Sequence, residues 1–540
     1  MRIPPLIILF ASFGSIAAVC PAQSITEQEY NENAGYANDL GTLSATKTMT
    51  GYVNGPQDVD TFRFKATADG LLRITTSYNG SALDLVITNA HGDENWGMHR
   101  FAADRVVLPV PKGVYHVRLG GSAAVTRYSM SLELQAQTLP TLALGRTTQL
   151  AVGPQYGGLR IVQPQDGRLQ LDFTTSNSAD SFLVLQNSQW GYVYEVDDAS
   201  TSTSEPGLDA VLPKGTYYLY VGADVAATTS IRSAFTSLSI SELKTTASGT
   251  IGSQGPSFEL HKIELKSVEE VQIAIAPRGS TGITDSYLQL FDRNMVQVLE
   301  SDDDSVSTLS SIAVTLPVGI YYVASTGYYD RGDYLISKSS GAAVIDPVRA
   351  GSNFLTAAAD RATTMRFRLE TPAGVEFNIV GGPGYDAQVS VLDAATGLSF
   401  AWEDDESLGS HDCNLGMRLP EGDYFVIAKN YDGASGVFEA QVVPPLQRWV
   451  SDHVRVRMHG GQLAYFLVSL RLAAPSNPLP GILTGKLLVD LSVAVPIVMT
   501  IPWHGTVDFQ APLLPNSGVY LQMVAIDLAG PTGEYSNLLK

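Results

Sequence analysis

The chain has 540 residues and a formal net charge of −20, and only 16% of its residues are charged. The surplus of carboxylates leaves no basic patch that could neutralise phosphates, which excludes nucleic acid as a partner. Few charges together with abundant Gly, Ser and Thr favour strands over helices, and the length suits about five domains.

The first 22 residues predict a signal peptide that is not part of the fold. Arg2 provides a short positive region, Ile3 to Ala18 is apolar, and the small residues that follow place cleavage after Ala22. An alternative reading makes Cys20 a lipoprotein anchor. The only other cysteine is Cys413, so the mature chain can form no internal disulfide. We therefore expect a protein that is secreted or held at the bacterial cell surface.

A Pro-x-Gly-x-Tyr motif occurs four times along the mature chain. Its glycines lie 102, 104 and 103 residues apart. Because solenoid repeats run roughly 20–50 residues, a period this long predicts an array of whole domains. The expected local structure is a tight turn, in which Pro fixes φ and Gly accepts positive φ, leading the next strand into a hairpin. The four copies end in Tyr115, Tyr217, Tyr321 and Tyr424.

Short apolar runs at period two, separated by Gly, Pro, Asn and Asp, fill each unit and predict strands. No helical periodicity is found in the mature chain beyond residues 27–40. The predicted fold class is all-β, a tandem array of β-sandwich (jelly-roll-like) domains. The expected boundaries are 1–22 for the signal peptide, 23–137, 138–244, 245–345 and 346–443 for modules 1 to 4, and 444–540 for a C-terminal β-rich domain.

The C-terminal block breaks the period and has strand-like runs of its own. The apolar stretch Leu487 to Ile501 is interrupted by Asp490 and Pro496, so it predicts core strands and no transmembrane segment. The block is either a plain sandwich cap or a surface-anchoring module.

Several stretches resemble the bacterial pre-peptidase C-terminal (PPC) domain family. In module 1 these are the leader from Glu27 to Glu32, Gly51-Tyr52-Val53 and the run from Asp58 to Phe64; module 3 is also similar, while modules 2 and 4 match more weakly. The resemblance implies a β-sandwich of the kind appended to secreted peptidases, related to collagenase collagen-binding domains. No peptidase accompanies the modules here, so it implies an exported binding or structural protein whose partner is an extracellular polymer, either polysaccharide or collagen-like protein.

The resemblance also implies a calcium site at the start of module 1. Collagen-binding members hold Ca²⁺ through a Glu-x-Glu-x-Asn-acid leader and acidic residues before a later strand, although Tyr30 stands where many members have Pro. Oxygen-rich clusters suit Ca²⁺. The alternative is a solvated acidic leader that caps a short helix. The implied ligands are Glu27, Glu29, Asn31, Glu32, Asp58 and Asp60.

Two further features are weighed against simpler explanations. Acidic clusters begin at Asp197, Asp302 and Asp404. They could bind a cation, or they could lie in solvent-exposed loops that contain Asx turns. Tyr-rich strands could present rings outward to stack on sugars or collagen prolines, or could reflect the strand propensity of Tyr.

Catalytic motifs are missing from the sequence. It contains no His-Glu-x-x-His and no Gly-x-Ser-x-Gly, and Cys413 reads as a small structural residue despite the nearby His411. We therefore expect a protein that is not an enzyme. The alternative is a secreted hydrolase, or a peptidase-associated accessory protein, with an unrecognised active site.

Overall fold

The computed structural model describes residues 23–443 apart from short gaps, together with seven strands beyond residue 443. The gaps are 28–30, 32–33, 36, 54–57, 81–82, 91–104, 121–124, 154–155, 198–204, 252–256, 303–306, 328–330, 349–350, 382–385, 404–412 and 432–434. The predicted signal peptide, residues 1–22, lies outside the described residues.

Among the described residues nearly all regular structure is β-strand and no α-helix occurs, which confirms the all-β prediction. Module 1 contains β1 (Gln23–Thr26), β2 (Asn38–Thr42), β3 (Lys47–Val53), β4 (Asp60–Ala66), β5 (Gly70–Asn79), β6 (Asp84–Thr88), β7 (Arg105–Val110), β8 (Gly113–Gly120) and β9 (Thr126–Ala136). Module 2 contains β10 (Thr147–Val152), β11 (Gly157–Gln163), β12 (Gly167–Thr175), β13 (Ser181–Gln186), β14 (Tyr192–Val196), β15 (Gly207–Leu212), β16 (Gly215–Ala223) and β17 (Ala227–Ser237).

Module 3 contains β18 (Thr246–Ile251), β19 (Ser257–Leu265), β20 (Glu269–Pro277), β21 (Tyr287–Asp292), β22 (Gln297–Ser301), β23 (Ser311–Leu316), β24 (Gly319–Thr326) and β25 (Gly332–Gly341). Module 4 contains β26 (Asp346–Pro347), β27 (Gly351–Ala357), β28 (Thr363–Leu369), β29 (Ala373–Gly381), β30 (Ala387–Asp393), β31 (Ser399–Glu403), β32 (Cys413–Leu419), β33 (Gly422–Asn430) and β34 (Gly436–Val443). The C-terminal block contains β35 (Gln462–Ser469), β36 (Leu472–Ser476), β37 (Leu483–Thr484), β38 (Leu487–Val489), β39 (Val495–Thr500), β40 (Tyr520–Asp527) and β41 (Gly533–Tyr535). Two 3-10 turns lie at Ser176–Ser178 and Gly279–Thr281.

Each module is a sandwich of two sheets whose strand order is that of a jelly roll. In module 2 one sheet runs β10-β17-β12-β15 and the other β11-β16-β13-β14, so successive strands alternate between sheets except for the β13–β14 hairpin. Modules 3 and 4 repeat this order, and module 1 repeats it without a described counterpart of β14. Additional strands extend it at the edges, since β1, β2 and β26 pair in parallel with β3, β4 and β28.

The Pro-x-Gly-x-Tyr motif forms a corner between the two sheets, and the expected hairpin is wrong. The strands before and after the motif, such as β15 and β16, belong to different sheets. In every copy the Tyr hydroxyl donates to the carbonyl of the motif's Pro, at 2.6, 2.9, 3.1 and 2.5 Å along the chain. This is the tyrosine-corner arrangement known from other sandwiches.

The glycine of this corner is needed for space, and the expected positive φ is also wrong. None of the four corner glycines is among the positive-φ residues of the described chain. A Cβ at Gly113 would lie 3.1 Å from the Tyr115 hydroxyl oxygen, and one at Gly422 would lie 3.2 Å from that of Tyr424. The ring folds back over the glycine, so a side chain there would push the corner open.

Consecutive modules share apolar packing. Modules 2, 3 and 4 each have one sheet that ends in a hairpin, β13–β14, β21–β22 and β30–β31 respectively, and we call these the junction hairpins. The outer face of that sheet packs toward the preceding module. Trp190 of module 2 joins the core of module 1, where its ring stands edge-on to Tyr115 at 5.1 Å. Met295 joins the core of module 2, and Phe425 joins that of module 3. The junctions therefore bury the surface that isolated modules would expose.

Modules 2 and 3 are joined further by backbone pairing. β15 pairs in parallel with β19, through Asp209 with Ser257 and Ala210 with Phe258, which fuses two sheets into one of eight strands. Arg168 of module 2 bridges the carboxylates of Asp209, at 2.9 Å, and Glu259 of module 3. The expected domain boundaries stay a prediction, but this sheet runs across the one near residue 244.

Candidate functional site

Asp60 is the starting point of the site because its carboxylate is fully buried. It is the first residue of β4, next to Leu119 of β8, and has no exposed surface. No hydrogen bond of normal geometry reaches either of its oxygens within the described residues, although Glu27 and Tyr128 lie close enough to affect its pKa as hydrogen-bonding neighbours. Burial, followed by the neighbouring Glu27 carboxylate, raises the pKa of Asp60 to about 9. A carboxylate held this way is costly unless it keeps a proton or meets a cation.

Glu27, directly after β1, brings a second carboxylate to Asp60. Its Oε1 accepts a hydrogen bond from the Tyr52 backbone N–H at 2.7 Å, and its Oε2 accepts one from the Tyr128 hydroxyl at 2.5 Å. The side chain lies across Gly51, where a Cβ would come within 1.5 Å of Oε2. Only glycine at this position of β3 leaves room for the carboxylate.

Asn31 supplies an amide next to the same strand. Its backbone carbonyl accepts a hydrogen bond from the N–H of Thr61, the residue after Asp60, at 2.7 Å. Its side chain is 1% exposed, and neither polar atom has a hydrogen-bond partner in the described part of the chain. A buried amide without partners is as costly as a lost hydrogen bond, so it points to a missing group.

The predicted ligand set is thus partly assembled. The Glu27 and Asp60 carboxylates lie together at the start of β4, and the partly buried Asp58 adds negative charge to Asp60. The Asn31 backbone lies beside them, hydrogen-bonded to Thr61. Glu29 and Glu32 lie outside the described residues. The alternative of an acidic leader that caps a short helix falls on a segment with several residues outside the described ones; its described flanks, residues 23–26 and 38–42, are strands.

In module 3 the carboxylate at the equivalent position is paired with an arginine side chain. The corner glycine Gly113 pairs with Ala66, and its counterpart Gly319 pairs with Leu265. Asp60 and Glu259 each lie at the same distance before those partners, so they occupy equivalent positions of their strands. Glu259 is paired with Arg168, which offsets the pKa rise that burial causes in this carboxyl. Asp60 has two carboxylates as neighbours instead.

The donor set at Asp60 fits a hard divalent cation. Carboxylate and amide oxygens are the ligands that Ca²⁺ prefers, and it usually takes 6–8 of them. Within the described residues no group of three or more His, Cys, Asp or Glu side chains has metal-binding geometry. A cation here would ionise Asp60 and give the Asn31 oxygen a partner.

Sequence reasoning did not single out Gly51 or Tyr128 for this site. They are cross-strand partners on β3 and β9, and Gly249 and Tyr334 form the same pair on β18 and β25 of module 3. Alignment of the modules on their corner glycines is the signal that could have identified this pair. In both modules the tyrosine of this pair directs its hydroxyl toward the first residues of a strand in the opposite sheet.

The other candidate features have mixed outcomes. The acidic loops lie mostly outside the described residues, namely residues 198, 303–304 and 404–406, with Asp197 and Asp302 at their described edges. The aromatic strands do not present free rings: Trp190, Tyr217, Tyr218, Tyr220 and Tyr321 are buried within the modules or at their junctions. On the described residues this favours the strand-propensity alternative: Tyr217 and Tyr321 fill the cores of their own modules, and the preceding module covers the other three rings. Tyr328 and Tyr329 lie outside the described residues.

Cys413 is buried, and its Sγ lies 2.6 Å from the Ala387 carbonyl oxygen, as suits a structural residue. Within the described residues, no helix has the length and apolar character needed to cross a bilayer. Comparison of the sequence with protein-family models and with curated proteins finds no match.

Proposed function

We propose that the chain is an exported, non-catalytic binding or structural protein built of tandem PPC-like sandwiches, with module 1 stabilised by Ca²⁺. Its partner is an extracellular polymer, polysaccharide or collagen-like protein, and it acts after secretion or at the cell surface. The buried acidic cluster of Glu27, Asn31 and Asp60 carries the calcium part of the proposal, since it lacks the counter-charge that Arg168 supplies to Glu259 in module 3.

The repeated junction supports a binding role. At three successive junctions, apolar residues of one module enter the core of the preceding module, which holds consecutive modules against each other. Sites held in this way gain affinity for a polymer through avidity, because the second contact is intramolecular once the first has formed. A chain of independent modules would lose part of that gain to linker freedom.

The test is a pull-down of the mature chain on collagen, cellulose, chitin and peptidoglycan, with and without Ca²⁺. Generic peptide and glycoside substrates are assayed in parallel. Saturable retention without turnover is the expected result. Turnover abolished by one substitution would instead establish the hydrolase alternative.

A further inference from the structure

The junction hairpins of modules 2, 3 and 4 lie side by side and line one cleft. Asn187 Nδ2 of module 2 donates to the Met295 carbonyl of module 3 at 2.8 Å, and Asp292 Oδ2 of module 3 accepts from the Ser399 N–H of module 4 at 3.0 Å. The cleft has a volume of about 320 Å³, within the range of small-ligand sites. Its walls include Gln189, Asn294, Asp393, Thr396, Leu398 and Phe400.

A longer turn in module 4 shapes this cleft. In modules 2 and 3 the turn closes with hydrogen bonds from Asn187 N–H to the Gly191 carbonyl and from Asp292 N–H to the Val296 carbonyl. In module 4 the equivalent bond runs from Asp393 to Leu398, which adds one residue to the turn. The three turns are therefore equivalent in position, but the turn of module 4 is one residue longer. The extra residue lies in the segment that includes Thr396, which lines the cleft.

The walls combine amides, a carboxylate and an aromatic ring. The side chains of Gln189 and Asn294 are exposed, and each offers two donors and an acceptor. Asp393 uses Oδ1 to hold its own turn, accepting from the N–H groups of Ala395 and Thr396 at 3.0 and 2.7 Å. Its equivalent Asp292 commits Oδ2 to the next module, whereas the hydrogen bonds to the Asp393 side chain within the described residues, including one from the Thr396 hydroxyl at 2.7 Å, all reach Oδ1.

Phe400 forms the apolar part of the cleft and is held in place. Its ring packs edge-on against Tyr424 of the module 4 corner, with centroids 5.6 Å apart. The corner hydrogen bond of Tyr424 to Pro420 fixes that second ring in turn. An aromatic side chain fixed at the edge of a polar cleft costs little entropy when a ligand packs on it.

We propose that this cleft binds a pyranose ring of an uncharged polysaccharide. The C–H face of such a ring packs on an aromatic side chain, while its hydroxyl pairs exchange hydrogen bonds with amides and a carboxylate. The Asp393 carboxylate and the net charge of −20 disfavour anionic glycans. The inference rests on the proposed polymer-binding function and names the polymer class and the site.

The test measures binding of the full mature chain to cellohexaose, chitohexaose and xylohexaose by titration calorimetry. Hexagalacturonate and a collagen-model peptide are the anionic and protein probes. The variant Gln189→Ala/Asn294→Ala removes two exposed amides that hold no part of the fold in the described structure. Gln165→Ala, an exposed amide of module 2 that does not line the cleft, is the control.

We expect at least one neutral hexasaccharide to bind, the double variant to bind it about tenfold more weakly, and the control to bind normally. Equal binding by the double variant and the parent would overturn the cleft but leave the proposed function standing. Cleft-dependent binding of the collagen peptide alone, or tighter binding of hexagalacturonate than of any neutral sugar, would overturn the polymer class. No binding to any probe, together with no retention in the pull-down, would overturn both proposals.

Discussion

Replacing Asp60 by Asn tests the calcium proposal, because it removes an ionisable carboxyl while keeping the size of the side chain. In the parent protein without a cation, the buried carboxyl keeps its proton up to about pH 9. In the unfolded chain the same group releases it near pH 4. The perturbation therefore separates the contribution of this one group from the packing around it.

The expected magnitude follows from this difference. Because the folded pKa of Asp60 is raised, its contribution to stability is greatest below about pH 4 and declines as the pH rises toward about 9. The decline is about 1.4 kcal/mol per pH unit, so the step from pH 5 to pH 7 costs about 3 kcal/mol as an order of magnitude. Bound Ca²⁺ reverses this dependence by favouring the ionised form, and contributes about 2.7 kcal/mol at a hundredfold excess over its Kd.

The assay is hydrogen exchange of the full mature chain, read by mass spectrometry on peptides from β3, β4 and β9. In chelator, we expect protection of these strands to fall from pH 5 to pH 7 after correction for intrinsic exchange rates. Millimolar Ca²⁺ should restore it at pH 7. Asp60→Asn should show neither the pH dependence nor the calcium response. Glu259→Gln is the matched control, because Arg168 already neutralises that position and the calcium response of module 1 should persist.

Equal protection of module 1 with Ca²⁺ and with chelator would refute the reasoning. A calcium response that survives Asp60→Asn would place the ion elsewhere, with the acidic loops as the next candidates. A response confined to β3, β4 and β9 that disappears in the variant would support the site.

Three further predictions concern the junctions. Trp190→Ala should lower stability by about 3–5 kcal/mol, since the ring fills the module 1 core, while Tyr52→Ala at an exposed position should have little effect in the same denaturant titration. Arg168→Met should lower the free energy of unfolding by about 2 kcal/mol, because it leaves Glu259 buried without a counter-charge. Arg168→Lys should lose less, since lysine keeps the charge but bridges two carboxylates less well. An unchanged melting temperature of Arg168→Met would show that the bridge contributes nothing. Limited proteolysis should release fragments of roughly 10–12 kDa for single modules, with residues 138–345 persisting longest as one piece because of the shared sheet, whereas early cuts inside strands would contradict the module boundaries.

The sequence alone determined the fold class and the repeat. Period-two apolar runs and few charges specify strands, and the recurring Pro-x-Gly-x-Tyr motif specifies the length of the repeating unit, because these are local properties of the chain. Glu27, Asn31 and Asp60 were reached by the resemblance to PPC domains, because a ligand set drawn from separate strands has no local signature of its own. It could not show which of these side chains lack a partner.

Only the tertiary structure decided what the motifs do. The corner glycines are required by a tyrosine ring that folds back from the next strand, and the hairpin turns became visible as a shared cleft only when three modules lay side by side. The aromatic strands illustrate the limit most clearly: Trp190 and Tyr218 point outward from their own sheet, yet the preceding module buries them. Whether an outward side chain meets solvent or a neighbouring module depends on contacts between residues far apart in the sequence. A local sequence pattern carries no information about such contacts.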